Sequence, residues 1–577
     1  MKTFSLIKRL ILLCLIAGGS YGSGFAQLPF TPVDTNFTTG NVIVPPGFLF
    51  TVLFREGDTV ATVSNGNAPS RGQNDYLCYV PIAGSNTDGY LVVNHETSIG
   101  GGPLGNGGPV TVLHVQRNAG TWSVIGTKRS VDFSGVGGTW TNCAGGDKPT
   151  AWGTVLSVEE YPPGSNAELT SNGWTDTTDF MGYPRYMNLG FMLEINPVTL
   201  NVKKLYAMGR FSHEAALLMP DQKTVYMTDD FSPGIFFKFV ADTAGNYEYG
   251  QLFAYKQSGS TGSWIPLPRE RDSLNVIRDI AISKGATMFI RLEDIEMAND
   301  GNIYITETGL DLADLTAGVL AGGDVADHLE PFRVPATETF IDRYGRILKF
   351  VENTGQVVSH LEGGAGTDGK THLSNPDNIS IDKARNYLVI NEDLNGRTFG
   401  RNPVYATQTI NEIYYLDLSI PNPSRDDLKR FVIGPAGCET TGPFYTPDHE
   451  TYFVNIQHPS SSNPYPFDKA TTIAITGFTV GINQIGSEIP DAFSLDQNYP
   501  NPFNPSTSIK FTLGKAGFVS LNIYDISGRF IASLVQKDLQ AGVYEATFDA
   551  SRFASGTYFY KLETGSFSET KKMILLK

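Results

Sequence analysis

The chain has 577 residues, 43 Lys+Arg against 59 Asp+Glu, and a formal net charge of −16. This length excludes a single small domain, the 41% apolar fraction excludes a wholly disordered chain, and the acidic excess argues against a nucleic-acid binder. A charged fraction of only 18%, with 61 Gly and 33 Pro, predicts many strands and turns and few long helices.

The chain opens with Lys2, Lys8 and Arg9 ahead of a short apolar run over residues 10–17. Gly24-Phe25-Ala26 then places small residues at the −3 and −1 positions of a cleavage site. This order predicts a secretory signal over 1–26 and a mature start at Gln27. The apolar run, which contains Cys14, is too short for a bilayer core that needs about 20 residues. Without residues 1–26 the chain carries 40 basic and 59 acidic residues, or −19. The last 88 residues, 490–577, carry 9 basic and 8 acidic, or +1. The acidic excess therefore belongs to residues 27–489, with 31 basic and 51 acidic, or −20.

Within that body six segments share one design, an apolar run that ends in polar residues, usually an acid. They are YLVVNHE (90–96), TVLSVEE (154–160), VYMTDD (225–230), IYITET (303–308), YLVINED (387–393) and YFVNIQH (452–458). Most have a partner run upstream across a turn. In an antiparallel hairpin, residues equidistant from the turn face each other. That rule sets Glu214 opposite Asp229/Asp230, Glu293 opposite Glu307, and Asp377 opposite Asp393. It also sets Glu439 opposite Gln457/His458 and Cys143 near Glu159/Glu160. Six such hairpins arranged radially predict an all-β fold, a six-bladed β-propeller over 27–480 with elaborated loops, followed by a linker at 481–489.

The acid-bearing ends would then meet at one mouth of a central channel, about ten carboxylates with one thiol, and with His213 and His458 nearby. Carboxylates at that density need counter-charge, and oxygen ligands suit Ca²⁺ or Mg²⁺. A thiolate among them suggests an additional transition metal such as iron. Taken singly, an acid at a strand end also fits a turn, and Cys143 also fits a buried small residue or half a disulfide. Cys78 and Cys438 are free to pair in an oxidising exterior, which would leave Cys143 odd. His114, His328, His360, His372 and His449 follow no pattern and read as surface or packing residues.

The tail begins NYPNPFNPSTSIKFTL, a Pro/Asn-rich entry into an alternating strand. VSLNIYDISGRFIASL, GVYEATFDAS and GTYFYKLETG continue as short strands between Gly, Asp and Ser turns, which predicts a small β-sandwich over 490–577. The run from Tyr499 to Pro505, Asp525 with Gly528-Arg529, Gly556-Thr557-Tyr558 and the terminal KKMILLK resemble the type A sorting domains of type IX secretion cargo. That resemblance implies handling by the type IX machinery, passage across an outer membrane, and a secreted or cell-surface protein.

The body resembles the PhoX-type alkaline phosphatases through GYLVVNHE, TNCAGGDKPTAWGTVLSVEE, GRFSHEAA with TVYMTDD, IRLEDIE with IYITET, NPDNISID with INED, and CETTGPF with FVNIQHP. The segments occur in the family's order over most of residues 50–460. The resemblance implies a six-bladed propeller holding an iron–calcium cluster that hydrolyses phosphomonoesters without a protein nucleophile. It implies that Cys143 is an iron ligand and that Glu160, Glu214 and Glu293 are cluster ligands. Asp377, Asp393 and Glu439 follow as calcium ligands, Arg291 as the guanidinium that holds the phosphate, and Asn94 as a phosphate contact. Many family members carry a twin-arginine signal; here Lys8-Arg9 precede the apolar run, so metal loading is expected after export. The implied protein acts on small phosphate esters, as a monomer and without nucleic acid. Two competing readings share the channel calcium: a propeller lactonase or esterase, and a non-catalytic surface propeller.

Overall fold

The computed structural model describes residues 28–577 apart from 35–38, 63–65, 119, 311–317, 320–323, 338, 368–371, 394–409, 479–481, 487–489, 551–552 and 566. The predicted signal at 1–26 lies outside the described residues, as do the ends of the predicted linker.

The fold is all-β in character, with three short α-helices among the described residues, at Asn166–Ser171, Arg271–Leu274 and Ile277–Ser283. Among the described residues the body is made of six larger antiparallel-rich sheets, with three small two- or three-stranded sheets in its loops. Each of the six is built outward from an inner strand and its hairpin return strand. In chain order these pairs are Asn74–Pro81 with Asp88–His95, Asn142–Gly145 with Val155–Glu159, and His213–Leu218 with Thr224–Asp229. Leu292–Met297 with Ile303–Glu307, Pro376–Asp382 with Tyr387–Glu392, and Glu439–Tyr445 with Thr451–Gln457 complete the set. The six inner strands touch in order, first to second and on to the sixth, and the sixth touches the first. The sheets therefore form a closed ring with the inner strands at its axis. These strands are buried on both faces, which is why they read as apolar runs with few alternations.

Apolar clusters fill each gap between neighbours. Val80 and Val92 of the first sheet pack with Leu193 and Ile195 of the second. One large cluster joins the second, third and fourth sheets, where Tyr226, Phe236, Trp264 and Phe350 meet edge to face and tilted at ring separations of 5.4 to 6.1 Å. The ring is closed by the N-terminal strand: Leu49–Arg55 pairs with Thr471–Thr476 as the outermost strand of the sixth sheet.

Cys78 lies in the cluster between the first and second sheets, and Cys438 in the one between the fifth and sixth. Both are free thiols, so the pairing that the sequence leaves open does not form, and they lie in different inter-sheet clusters.

The tail carries two four-stranded sheets. Ile509, Phe511, Tyr544 and Phe548 from one share a core with Leu521, Ile523, Tyr560 and Leu562 from the other. Among the described residues no helix is long and apolar enough to cross a membrane.

Candidate metal centre

One irregularity repeats around the ring. Asn74 pairs with His95, but Leu77 pairs with Val93. The same one-residue slip follows the pairs Asn142–Glu159, His213–Asp229, Leu292–Glu307 and Pro376–Glu392. Each is a β-bulge, which twists the strand and re-aims a side chain. The residue that enters each bulge is Asp75, Cys143, Glu214, Glu293 and Asp377 in turn. In the sixth sheet Glu439 pairs with Gln457 and the slip comes later, between Thr441 and Phe444.

A second set comes from the residue just past each return strand: Glu96, Glu160, Asp230, Thr308, Asp393 and His458. In the first five sheets its backbone N–H donates to the residue before the inner strand: Gln73, Thr141, Ser212, Arg291 and Asn375. The two sets meet at the axis. Ligand atoms lie within 4.8 Å of one another in four groups: Asp75–Cys143–Glu214, Glu96–Cys143–Glu160, Glu214–Glu293–Asp377 and Asp377–Asp393–Glu439. All seven metal ligands expected from sequence fall in these groups, joined by Asp75 and Glu96, which were not expected. Asp230 stands beside them through Arg291.

The pleat separates these acids from their neighbours, because successive side chains point to opposite faces. Glu159 accepts from the Gly190 and Phe191 amides through Oε2 and from the Trp140 amide and Lys204 ammonium through Oε1. Asp229 accepts from the Ile235 amide and Arg278, and Glu307 from the Ile290 amide while pairing with His328 and Arg346. Glu392 accepts from the Ser374 and Glu412 amides. These acids tie loops to strands, and the next residue in each case faces the axis.

Burial first, and then the neighbouring carboxylates, drive the axial groups toward their neutral forms. Asp75 is pushed up to about 8 by burial and Glu96, and Asp377 to about 8 by burial, Asp393 and Asp75. Burial and the nearby acids raise Glu96 to about 7 and lift Glu160, Glu214, Glu293, Glu439 and the Cys143 thiol well above their ordinary ranges. Asp230 is the exception. Its burial acts upward, but Arg291 beside it and hydrogen bonds from Glu160 and Tyr161 hold it below the usual range.

Arg291 sits two residues before Glu293 with φ of 52°, a left-handed conformation that is costly outside Gly and concentrates at functional sites. Its Nε donates to Asp230 Oδ1 at 3.0 Å, and Nη2 reaches Glu293 Oε1 at 2.7 Å. Nη1 has no partner among the described residues, so two N–H donors stay unspent.

Two residues near the mouth are committed to other partners. Asn94 is fully buried, and its amide nitrogen donates to the Cys143 and Ala144 carbonyls at 2.7 and 2.9 Å. Both N–H bonds are therefore committed to the neighbouring sheet and none remains for a phosphate. The role recurs around the ring: Thr228 donates to the Glu293 carbonyl, Thr306 to that of Asp377, Asn391 to that of Thr440 and Asn455 to that of Asp75. Asn94 thus fixes the backbone of a cluster residue. His213 is buried against Phe211, its Nε2 2.9 Å from the Gly209 carbonyl, and does not join the axial groups. His458 does stand at the mouth, after Gln457, whose amide donates to Glu96 Oε2 at 2.8 Å.

No curated protein matches the chain. Among solved structures, Pseudomonas fluorescens PhoX in complex with vanadate, described as a transition state analogue, is similar at a TM-score of 0.62 and 21% identity, covering 78% of this chain and 97% of that one. PorZ of Porphyromonas gingivalis, a surface component of the type IX secretion system, gives a TM-score of only 0.28 at 10% identity, covering 95% and 60%. Residues 497–576 match the secretion system C-terminal sorting domain, which marks the protein for secretion to the cell surface or beyond. Residues 110–460, more than half of the chain, match the family described as alkaline phosphatase PhoX, and the chain belongs to that family.

Proposed function

We propose that this protein is a secreted, metal-dependent phosphomonoesterase whose reaction centre is the axial cluster. The observation that carries this reading is the convergence of eight carboxylates and one thiol from six sheets, with Arg291 linking Glu293 of that cluster to Asp230. In this reading the six sheets are the blades of a propeller spanning 27–480, joined by the 481–489 linker to a sandwich at 490–577.

The residues fit cations. Asp75 Oδ1 and Glu214 Oε2 are buried acceptors without a hydrogen-bond partner, an arrangement stabilised by metal ions. The all-oxygen groups suit calcium, and the two that share Cys143 suit iron. When bound, such ions supply positive charge and Lewis acidity toward a phosphomonoester dianion. The protein's own part is positioning. Asp230 and Glu293 fix the Arg291 plane, Tyr161 fixes Asp230 through its hydroxyl at 2.5 Å, and the free Nη1 edge is left to bind a phosphoryl oxygen. A body carrying −20 repels anionic substrate unless bound cations reverse the local field.

The test is elemental analysis of the purified protein beside release of p-nitrophenol from its phosphate ester. Calcium with iron, and activity lost in Cys143→Ala and on chelation, are expected. Full activity in Cys143→Ala overturns the mechanism. Calcium without iron, together with hydrolysis of lactones or carboxyl esters only, replaces it with the lactonase reading.

A further inference from the structure

A cavity of about 650 Å³ opens beside the axial cluster, between the first and sixth sheets. Two of its lining residues, Gln73 and His458, belong to the ring positions just described, and a third, Thr97, adjoins one. Gln73 holds in the first sheet the place that Arg291 holds in the fourth, and it shares the left-handed backbone, with φ of 55°. Its carbonyl accepts from the Glu96 amide at 2.8 Å. Thr97 follows Glu96, and His458 ends the sixth return strand. The cavity is thus a lateral extension of the mouth, reached from the same strand ends that carry the cluster.

Its wall carries four charged residues, Glu56 and Asp468 against Arg71 and Lys469. Asp468 is paired with Arg55 at 2.6 Å, and Glu56 lies 3.9 Å from Lys469. Arg71 makes no ion pair among the described residues. Its guanidinium has one long hydrogen bond, 3.4 Å to the Gly101 carbonyl, and it is half-buried. A guanidinium left unpaired in a protein this acidic, and held two residues from the mouth, matches an anionic ligand group better than a structural one.

We propose that this cavity binds the alcohol half of the substrate and that Arg71 selects esters bearing a second phosphoryl group on that half. The inference rests on the phosphomonoesterase reading for its chemistry. One phosphoryl group would engage the cluster and Arg291, and the other the Arg71 fork, a bidentate geometry that a Lys does not reproduce. Sugar bisphosphates and nucleotides share this chemistry.

The test compares Arg71→Met and Arg71→Lys with the wild type, each checked by thermal melting, on fructose 1,6-bisphosphate and on p-nitrophenyl phosphate. In parallel, calorimetry measures binding of hexane-1,6-bisphosphonate and hexylphosphonate, which are not hydrolysed. Arg71→Met is expected to lower kcat/KM for the bisphosphate about 10-fold more than for the aryl ester, mainly through KM, with a matching loss in bisphosphonate affinity. Arg71→Lys should recover part of both. Equal losses on the two esters, or bisphosphonate binding unmoved by Arg71→Met, overturn the proposal. If the wild type hydrolyses neither ester yet binds the bisphosphonate through Arg71, the phosphomonoesterase reading falls and the subsite stands.

Discussion

Replacing Asp230 by Asn keeps the shape of the side chain that orients Arg291 and removes its charge. Asp230 now accepts from Arg291 Nε at 3.0 Å and Nη2 at 3.4 Å, and from the Tyr161 hydroxyl at 2.5 Å. An Asn has one acceptor oxygen and one donor nitrogen. Its oxygen must face Nε, because two donors repel, so its NH₂ turns toward Tyr161, which then accepts. One contact to the guanidinium is lost and the other falls from charge-paired to ion–dipole. The change is worth about 1.5–3 kcal/mol, a roughly 10- to 150-fold drop in kcat/KM if Arg291 grips the phosphoryl group in the transition state. Tyr161→Phe removes one hydroxyl that touches Asp230 alone, a loss of about 0.5–1.5 kcal/mol and less than about 10-fold. The assay is kcat/KM on p-nitrophenyl phosphate with calcium and iron saturating, and a melting curve for each variant. A fully active Asp230→Asn enzyme, or a Tyr161→Phe enzyme that loses more, would refute the claim that Asp230 acts by holding Arg291.

Cys143→Ser should abolish iron retention while leaving calcium, and lower activity at least ~100-fold, as read by elemental analysis beside the phosphatase assay. Asn94→Val copies the second sheet, where Val158 holds the equivalent position. It should lower stability by about 1–3 kcal/mol by stranding the Cys143 and Ala144 carbonyls, and leave KM within about 2-fold; a large rise in KM would restore a phosphate contact to Asn94. Metal-stripped protein should lose stability with rising pH. Asp75 and Asp377 stand near 8 and Glu96 near 7 in the folded chain, above their unfolded values, so the folded state binds the extra protons. The stabilisation is full below about pH 4 and is lost as pH climbs to about 8, which melting curves in chelator at pH 5 and pH 8 would show. Calcium added at pH 8 should restore the melting temperature, and a chelated protein equally stable at both pH values would contradict the crowding of charge at the axis.

Much of the centre was legible because a hairpin makes sequence distance into spatial proximity. Turn symmetry alone brings Glu439 to Gln457, as observed, and sets Glu214, Glu293 and Asp377 one residue from the observed pairs His213–Asp229, Leu292–Glu307 and Pro376–Glu392. The one-residue error is the bulge, which no residue type announced at these positions. Asp75 and Glu96 were within reach of the same rule. The turn over residues 82–87 sets Asn74 opposite His95, and so brings Asp75 and Glu96 to the same end of the hairpin. Glu159 against Glu160 and Asp229 against Asp230 could not be separated until the pleat assigned one of each pair to backbone amides. Asn94 is ambiguous in sequence for another reason. A buried Asn beside a metal cluster has the same sequence appearance whether its amide meets a ligand or a neighbouring strand. The left-handed backbone at Arg291 was equally hidden, since arginine carries no signal for it.

The strand that locks the ring has a consequence for how the protein comes to exist. Arg55 meets Asp468 across 413 residues of chain, and the sheet that joins them is the last contact that sequence order permits. Asp75 and Glu96 belong to the first sheet and Glu439 to the sixth, so the two halves of the cluster face each other across that seam. An exported chain therefore gains its reaction centre late, after nearly the whole body has arrived, and contacts of such long range form slowly. Until then the sixth sheet offers an open edge to any strand nearby. Closing the ring is therefore the step that brings Asp75 and Glu96 of the first sheet to the same axis as Glu439 of the sixth.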